Sequence, residues 1–350
     1  MVVFRKNIVC ILILTCLCEL GFSQSEINTD SILFTTDIFD KEQALEITLE
    51  FNIKKFIDQK LDREYEPAIL SYYIVDSVQV KDSIRIKSRG IFRLKKCVFP
   101  PYWINIKNAN HSVDTNLEVN KIKIVSHCKA SKMHENYLLK EYVAYKIFNI
   151  ITDYSFKVRL LRINYIDTGS ERKERTNWAF MIEPEEVLAE RLNAYPLKRD
   201  KVSYSQTDTL TTTILSFFQY MIGNLDYSMV GRHNIKLLTL KDFEKTSIIP
   251  VPYDFDYTGI VDAYYAKPQP IFELENIRER YFFGMCRSDE VYNSVIQLYN
   301  EKEEEVFLYI NSCDFLDKKT KKYVLGYIKD FYKDINRSDF IKNYLRLTCE

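Results

Sequence analysis

The sequence predicts an α+β chain: an antiparallel, β-rich first half holding one helix, followed by a mostly helical second half. Three observations carry this expectation. Period-two apolar alternation recurs in short runs between residues 69 and 182. One stretch, Glu135 to about Ile151, switches to helical spacing. Beyond Thr209 the apolar positions fall mainly at helical spacings, with a single β interruption. Hydrophobic residues make up 46% of the chain and aromatics 14%, enough to build a core, so global disorder is excluded.

Residues 1–23 read as a signal peptide. Arg5 and Lys6 precede an apolar run from Ile8 to about Leu20, and Gly21-Phe22-Ser23 supplies small residues where a signal peptidase cuts. The run is interrupted by Glu19 and falls short of the roughly 20 apolar residues of a membrane span. No integral span is expected after signal removal, and the destination is exported: periplasm, cell surface or secreted. Five cysteines remain after the leader: Cys97, Cys128, Cys286, Cys313 and Cys349. Cys97 and Cys128 each lie in or beside a strand and are the pair expected to form a disulfide in an oxidising compartment. No CxxC or HxxxH spacing suggests zinc. Basic and acidic residues balance at 49 each, so nucleic acid is not an expected partner.

Taken in order, Asp40-Lys-Glu-Gln opens an amphipathic segment toward Leu61, within which Leu45 to Phe51 alternates like a strand. Tyr72 to Val75, Ser83-Ile-Arg-Ile-Lys, Tyr102-Trp-Ile-Asn-Ile-Lys and Lys121-Ile-Lys-Ile-Val read as strands, with Pro100-Pro101 breaking the run before the third. After the helix come strands from Val158 to Ile166 and from Trp178 to Ile182, joined by a turn with Gly169 and a charged run to Arg175. Thr209 to Ile222 is an apolar helix that Gly223 ends. Ile235 to Leu240 and Ile248 to Val251 are short strands flanking a charged turn, and three or four amphipathic helices follow from Asp289.

The eight glycines form no GxGxxG, GxxxxGK[ST] or GxSxG, which excludes the usual Rossmann, P-loop and α/β-hydrolase sites. The segment from Gly223 to Gly259 stands out instead. Asp226, His233, Asn234, Lys236, Asp254 and Asp256 are interleaved with apolar strands. A hairpin of those strands brings Asn234, just before one, close to Asp254, just after the other. An amide oxygen beside carboxylates is a hard, oxygen-only pocket suited to Mg²⁺ or Mn²⁺. Asp226 is then placed to act as base toward an incoming hydroxyl. Asp and Asn also cap helices and fill turns, and His233 has an ordinary reading as a hydrogen-bonded histidine.

An Asp, a downstream Asn and a second Asp after a hairpin are the parts with which protein kinases hold metal. On these residues the chain resembles the CotH family, the spore-coat-protein-H-like atypical secreted kinases. Arg89-Gly90 followed by Lys95-Lys96 resembles the family's first-lobe segment, and Glu141 is placed like the acid that partners the lysine. Ala179-Phe-Met-Ile-Glu183 resembles the entry to the second lobe, and Asn224-Leu-Asp226, His233-Asn234 and Pro252-Tyr-Asp254-Phe-Asp256 resemble the catalytic and metal segments. The resemblance implies a two-lobed, atypical protein-kinase-like fold, with an N-lobe over 24–183 and a C-lobe over 184–350. It implies ATP with Mg²⁺ or Mn²⁺, and phosphotransfer to a protein or glycan hydroxyl. Asp226 would be catalytic, Asn234, Asp254 and Asp256 would hold metal, and Arg89, Lys95, Lys96, Glu141 and Glu183 would serve the nucleotide. Two departures stand out: Cys97 follows the lysine pair, and Ile91-Phe92-Arg93 replaces the polar turn after Arg-Gly. Asn234 also follows Asp226 at a longer interval than in the kinase loop H-R-D-x-x-x-x-N. The competing readings are a catalytically idle exported structural or adaptor protein and a metal-dependent phosphoester hydrolase.

Overall fold

A computed structural model of the chain describes residues 36–73, 79–106, 121–170, 173–198, 202–241 and 247–349; the expected leader, 1–23, and the charged turn at 242–246 lie outside them. Seven strands build the first half: β1 Leu45–Phe51, β2 Glu66–Tyr73, β3 Gln79–Ser88, β4 Tyr102–Asn105, β5 Lys121–Val125, β6 Val158–Asp167 and β7 Arg175–Ile182. They hydrogen-bond in the order β1-β2-β3-β4-β5-β7-β6 and close into a barrel. Every neighbouring pair is antiparallel except the closing one, where β1 runs parallel to β6 from Leu45↔Leu161 to Phe51↔Asp167. Alternate residues point inward, so Leu49, Leu70, Ile86, Ile104, Ile122 and Ile163 meet in one buried cluster.

Two short helices, α1 Ile53–Asp58 and α2 Phe92–Lys96, decorate the barrel. The long helix α3, Lys132–Ile151, starts at Ser131, whose hydroxyl accepts the His134 N–H. It packs against β6 and β7 on one side and against the second half on the other, so most of its residues are buried. The second half contains α4 Glu185–Arg191, α5 Thr209–Ile222, α6 Asp289–Ser312 and α7 Lys318–Ile335. Among them lies a three-stranded sheet of β8 Ala194–Pro196, β9 Ile235–Leu240 and β10 Ile248–Pro252, with β9 in the centre.

This architecture corrects the expected fold class. The chain forms a closed, mixed seven-stranded barrel with a second small sheet and helices, not a two-lobed kinase-like fold with a helical C-lobe. The physical reason is β1: its inward Ile47, Leu49 and Phe51 join the barrel core, and its free edge finds β6 instead of solvent. The three or four helices expected after Asp289 are two long ones, followed by a single wide turn at Ile341–Leu345. No helix among the described residues is long and apolar enough to cross a membrane.

Helix α5 is apolar around nearly its whole circumference and is buried from Thr212 to Ile222. Asp208 caps its start by accepting the Thr211 N–H at 2.8 Å. Gly223 ends it in the left-handed region, φ +64°. A Cβ at Gly223 would sit 2.3 Å from the Tyr327 hydroxyl, so both backbone and space demand glycine. Gly223→Ala should therefore lower unfolding free energy by at least roughly 1–2 kcal/mol from the backbone strain alone, read from the denaturant midpoint at unchanged slope.

Candidate functional site

The β9–β10 hairpin builds the site. Its ladder runs from Thr239↔Ile248 to Ile235↔Pro252, and one step further the Tyr253 N–H donates to the Asn234 carbonyl at 3.0 Å. Asn234 and Asp254 thus flank the end of one ladder. Both have left-handed backbones, φ +54° and +66°. Non-glycine residues in this region carry strain that the surrounding structure must hold in place. The Asp254 N–H donates to the Tyr145 hydroxyl of α3 at 2.7 Å. The carboxylate of Asp254, only partly exposed, accepts no hydrogen bond and forms no ion pair among the described residues.

Asp226 reaches the same place from the other direction. After Gly223, Asn224 turns the chain: its Oδ1 accepts the Asp226 N–H at 2.9 Å, and its Nδ2 donates to Gln219 Oε1 at 2.8 Å. The longer interval between Asp226 and Asn234 is taken up by a tight loop, closed where Ser228 and His233 exchange both backbone hydrogen bonds. The loop returns Asn234 to Asp226, and Asn234 Nδ2 donates to the Asp226 carbonyl at 2.7 Å and to its Oδ2 at 3.2 Å. His233 Nε2 lies 3.1 Å from Asp226 Oδ1. Both hydrogen bonds of the Asn234 amide to Asp226 use its nitrogen, so Oδ1 stays open toward a cation.

A second set of acids lies behind the first. Arg93, on α2, donates to Glu141 Oε2 of α3 at 2.7 Å, and its Nε lies 3.0 Å from Asp256 Oδ2, an ion contact without hydrogen-bond alignment. All three side chains are almost fully enclosed. Burial by itself lowers the basicity of Arg93, but Asp256 and Glu141 outweigh it and hold the guanidinium firmly charged. Burial raises Glu141 and Asp256, with Arg93 opposing and Asp254 adding to the rise in each case. Asp256 Oδ2 also accepts the Tyr265 hydroxyl at 2.8 Å.

Cations also lie within electrostatic reach of Asp254. Lys123 of β5 lies over the rings of Tyr253, Trp103 and Phe156 at 5.1, 5.7 and 5.9 Å. Burial pushes its pKa down to about 8; Arg89 and Lys236 push the same way, while Glu185 and Asp254 oppose. Lys236 is tied to Glu185 of α4 at 2.7 Å, and Arg89 lies over Trp103.

Several assignments change. Lys95 and Lys96 are exposed on α2, and Arg93 takes the place beside Glu141 expected of them. The helical turn of α2 is the reason: it points Arg93 and Leu94 inward and the lysine pair outward. Asp256 Oδ2 is shared between Arg93 and the Tyr265 hydroxyl. Both oxygens of Glu183 are bound by Arg191, at 2.9 and 3.0 Å, with the Lys157 N–H added, so its carboxylate is structural. Cys97 and Cys128 are disulfide-bonded, and so are Cys286 and Cys349, a pair that no local pattern marks. Lys123 carries no motif: in the sequence it is one lysine of an alternating strand, and its signal is its place between isoleucines in the strand before the Glu141 helix.

Among the described residues no three His, Cys, Asp or Glu side chains are arranged to hold a metal. The donor set here is one amide oxygen and one carboxylate. That fits Mg²⁺, which keeps several waters and is usually held by one or two carboxylates together with substrate phosphates. No protein-family model matches the chain, and no curated protein is significantly similar to it.

The enclosed Arg93 network generates a stability prediction. Arg93→Ala leaves Glu141 and Asp256 buried without their cation and should cost about 3–5 kcal/mol at pH 7 by chemical denaturation. The loss should grow as pH rises and shrink as pH falls, because both acids have raised pKa values and neutralise by taking up protons.

Proposed function

We propose that this protein is an exported, ATP- and Mg²⁺- or Mn²⁺-dependent phosphotransferase acting on a protein or glycan hydroxyl. In sequence, Asn224-Leu-Asp226, His233-Asn234 and Pro252-Tyr-Asp254-Phe-Asp256 resemble the catalytic and metal segments of the CotH family. The observation that carries the reading is the pair of left-handed residues at one hairpin end, Asn234 and Asp254, with free oxygens beside an Asp226 already oriented by Asn234 and His233.

In this reading Asn234 Oδ1 and Asp254 hold the divalent ion, which neutralises phosphate charge when bound. Lys123 and Arg89 form the cationic wall for the phosphates. Asp226 receives the proton of the acceptor hydroxyl, and its two hydrogen-bonded neighbours fix its orientation. The Arg93–Glu141–Asp256 cluster positions the chain that carries Asp254 and touches no substrate. Two disulfides support an oxidising, exported location.

The test is a thermal shift with ATP, with Mn²⁺ or Mg²⁺, and with both. A rise that needs both ligands, and vanishes in Asp254→Ala, is expected. No rise under any condition would return the protein to an idle structural or adaptor role. Asp226→Asn should keep the nucleotide-dependent shift while lowering phosphate transfer by roughly 10²–10⁴-fold.

The Lys123 ammonium supplies a pH signature. Phosphate binding needs its charged form, which predominates below a pKa of about 8 and is lost above it. ATP affinity should therefore decline from pH 7 to pH 9, with a proton taken up per nucleotide bound at the alkaline end, measurable by calorimetry in buffers of different ionisation heat. Lys123→Met should flatten that profile.

A further inference from the structure

A cavity of about 130 Å³ opens at the end of the barrel where β6 turns into β7. It is remote in sequence from the acidic site and shares no lining residue with it. Ile53 and Ile57 of α1, together with Phe99 and Tyr165, give it apolar walls. The imidazole of His127 also lines it, stacked on Phe99 at 5.3 Å between ring centres. His127 is 7% exposed, and its Nδ1 is buried without any hydrogen-bond partner. Burial pushes the His127 pKa down to about 4, so the ring is neutral and offers one N–H and one lone pair.

The mouth of the cavity is cationic. Lys173 and Arg175 line it, and neither forms an ion pair among the described residues. Arg175 is near enough to contribute to the depression of His127. Among the described lining residues the one acid is Asp167, and the turn occupies it. Its Oδ1 accepts the N–H groups of Ile53 and Gly169 at 2.9 and 3.0 Å, and its Oδ2 accepts the Ser170 hydroxyl at 2.6 Å. An apolar chamber of this size matches a single six-membered ring, since a cavity of about 150 Å³ holds benzene.

We propose that this cavity binds a small apolar carboxylate, with the size of a monocyclic aromatic acid. The hydrocarbon lies among Phe99, Tyr165 and Ile57, the carboxylate faces Arg175 and Lys173, and the His127 ring forms part of the wall. The site is independent of the phosphotransfer reading.

Calorimetric titration of the full chain with benzoate, and with benzyl alcohol as its uncharged counterpart, tests this. Benzoate should bind at one site with a dissociation constant on the order of 0.1–1 mM, the range for so few atoms. Benzyl alcohol should bind at least roughly tenfold more weakly, as should benzoate to the Lys173→Gln/Arg175→Gln variant, if the cationic mouth is worth one charge-assisted contact. Ile57→Trp, which fills the chamber, should abolish binding, with its melting temperature recorded to show that it folds. Asp254→Ala should bind benzoate unchanged, which separates this site from the nucleotide site. On binding, the His127 ring resonances should move and its pKa should rise, because an adjacent carboxylate favours the imidazolium. The proposal is overturned if benzoate gives no saturable heat up to about 20 mM, well above the expected constant. It is equally overturned if the double variant and benzyl alcohol bind as tightly as wild type with benzoate, or if the His127 resonances stay fixed at saturation.

Discussion

Arg93 sits on a five-residue helix in the connection between two barrel strands, yet its guanidinium ends among acids from α3 and from the segment after β10. Three parts of the chain far apart in sequence are joined at that one cation. Removing the charge leaves two enclosed carboxylates without compensation, so no part can move away alone without exposing or stranding a charge. The contact is stringent in geometry as well as energy. Arginine offers a planar fork, and the shorter, compact ammonium of the nearby lysines could not meet both acids in the same way. Phe92 and Tyr265 add ring contact beside it, at 5.4 Å between centroids.

The site inherits its shape from this anchorage. Asp256 is fixed by Arg93 and Tyr265, Asp254 is fixed two residues earlier by the Tyr145 hydroxyl, and the hairpin then determines where Asn234 lies. Asp254 lies within reach of two electrostatic territories. In one the acids Glu141 and Asp256 share one arginine; in the other Lys123 and Arg89 face the rings of Trp103 and Tyr253. A bound cation would relieve the first territory and a polyanion the second. That division makes a metal–polyphosphate pair a better occupant than either species alone.

Much of this was legible in the sequence, and the failures are instructive. Periodicity located most strands and the long helices, because a half-buried strand or helix writes its burial into its own residues. The hairpin logic placed Asn234 beside Asp254, a local relation needing only two strands and a turn. Barrel closure was not legible, because the parallel pairing of β1 with β6 joins residues more than a hundred positions apart and no local pattern names a partner. The expectation for Lys95 and Lys96 failed on orientation: five residues of helix were enough to turn Arg93 inward and the lysines outward. Asp256 looked equivalent to Asp254 in the string of letters. Only the fold shows that Asp256 lends Oδ2 to Arg93 and Tyr265 while Asp254 accepts no hydrogen bond among the described residues.

Closure of the barrel also governs how the chain meets other copies of itself. With β1 bonded to β6, the seven-stranded sheet has no outer strand whose peptide groups could template a neighbour. Among the described residues the remaining sheet edges are those of β8 and β10, and the start of β10 is already bridged by Thr207 at Ile248. β8 is three residues long and ends at Pro196, and β10 reads Ile-Ile-Pro-Val-Pro, with proline at 250 and 252. Proline has no N–H to donate, so both edges are poor acceptors of an added strand. The same topology that brings Asn234 and Asp254 together therefore leaves the molecule with little capacity for intermolecular β-pairing.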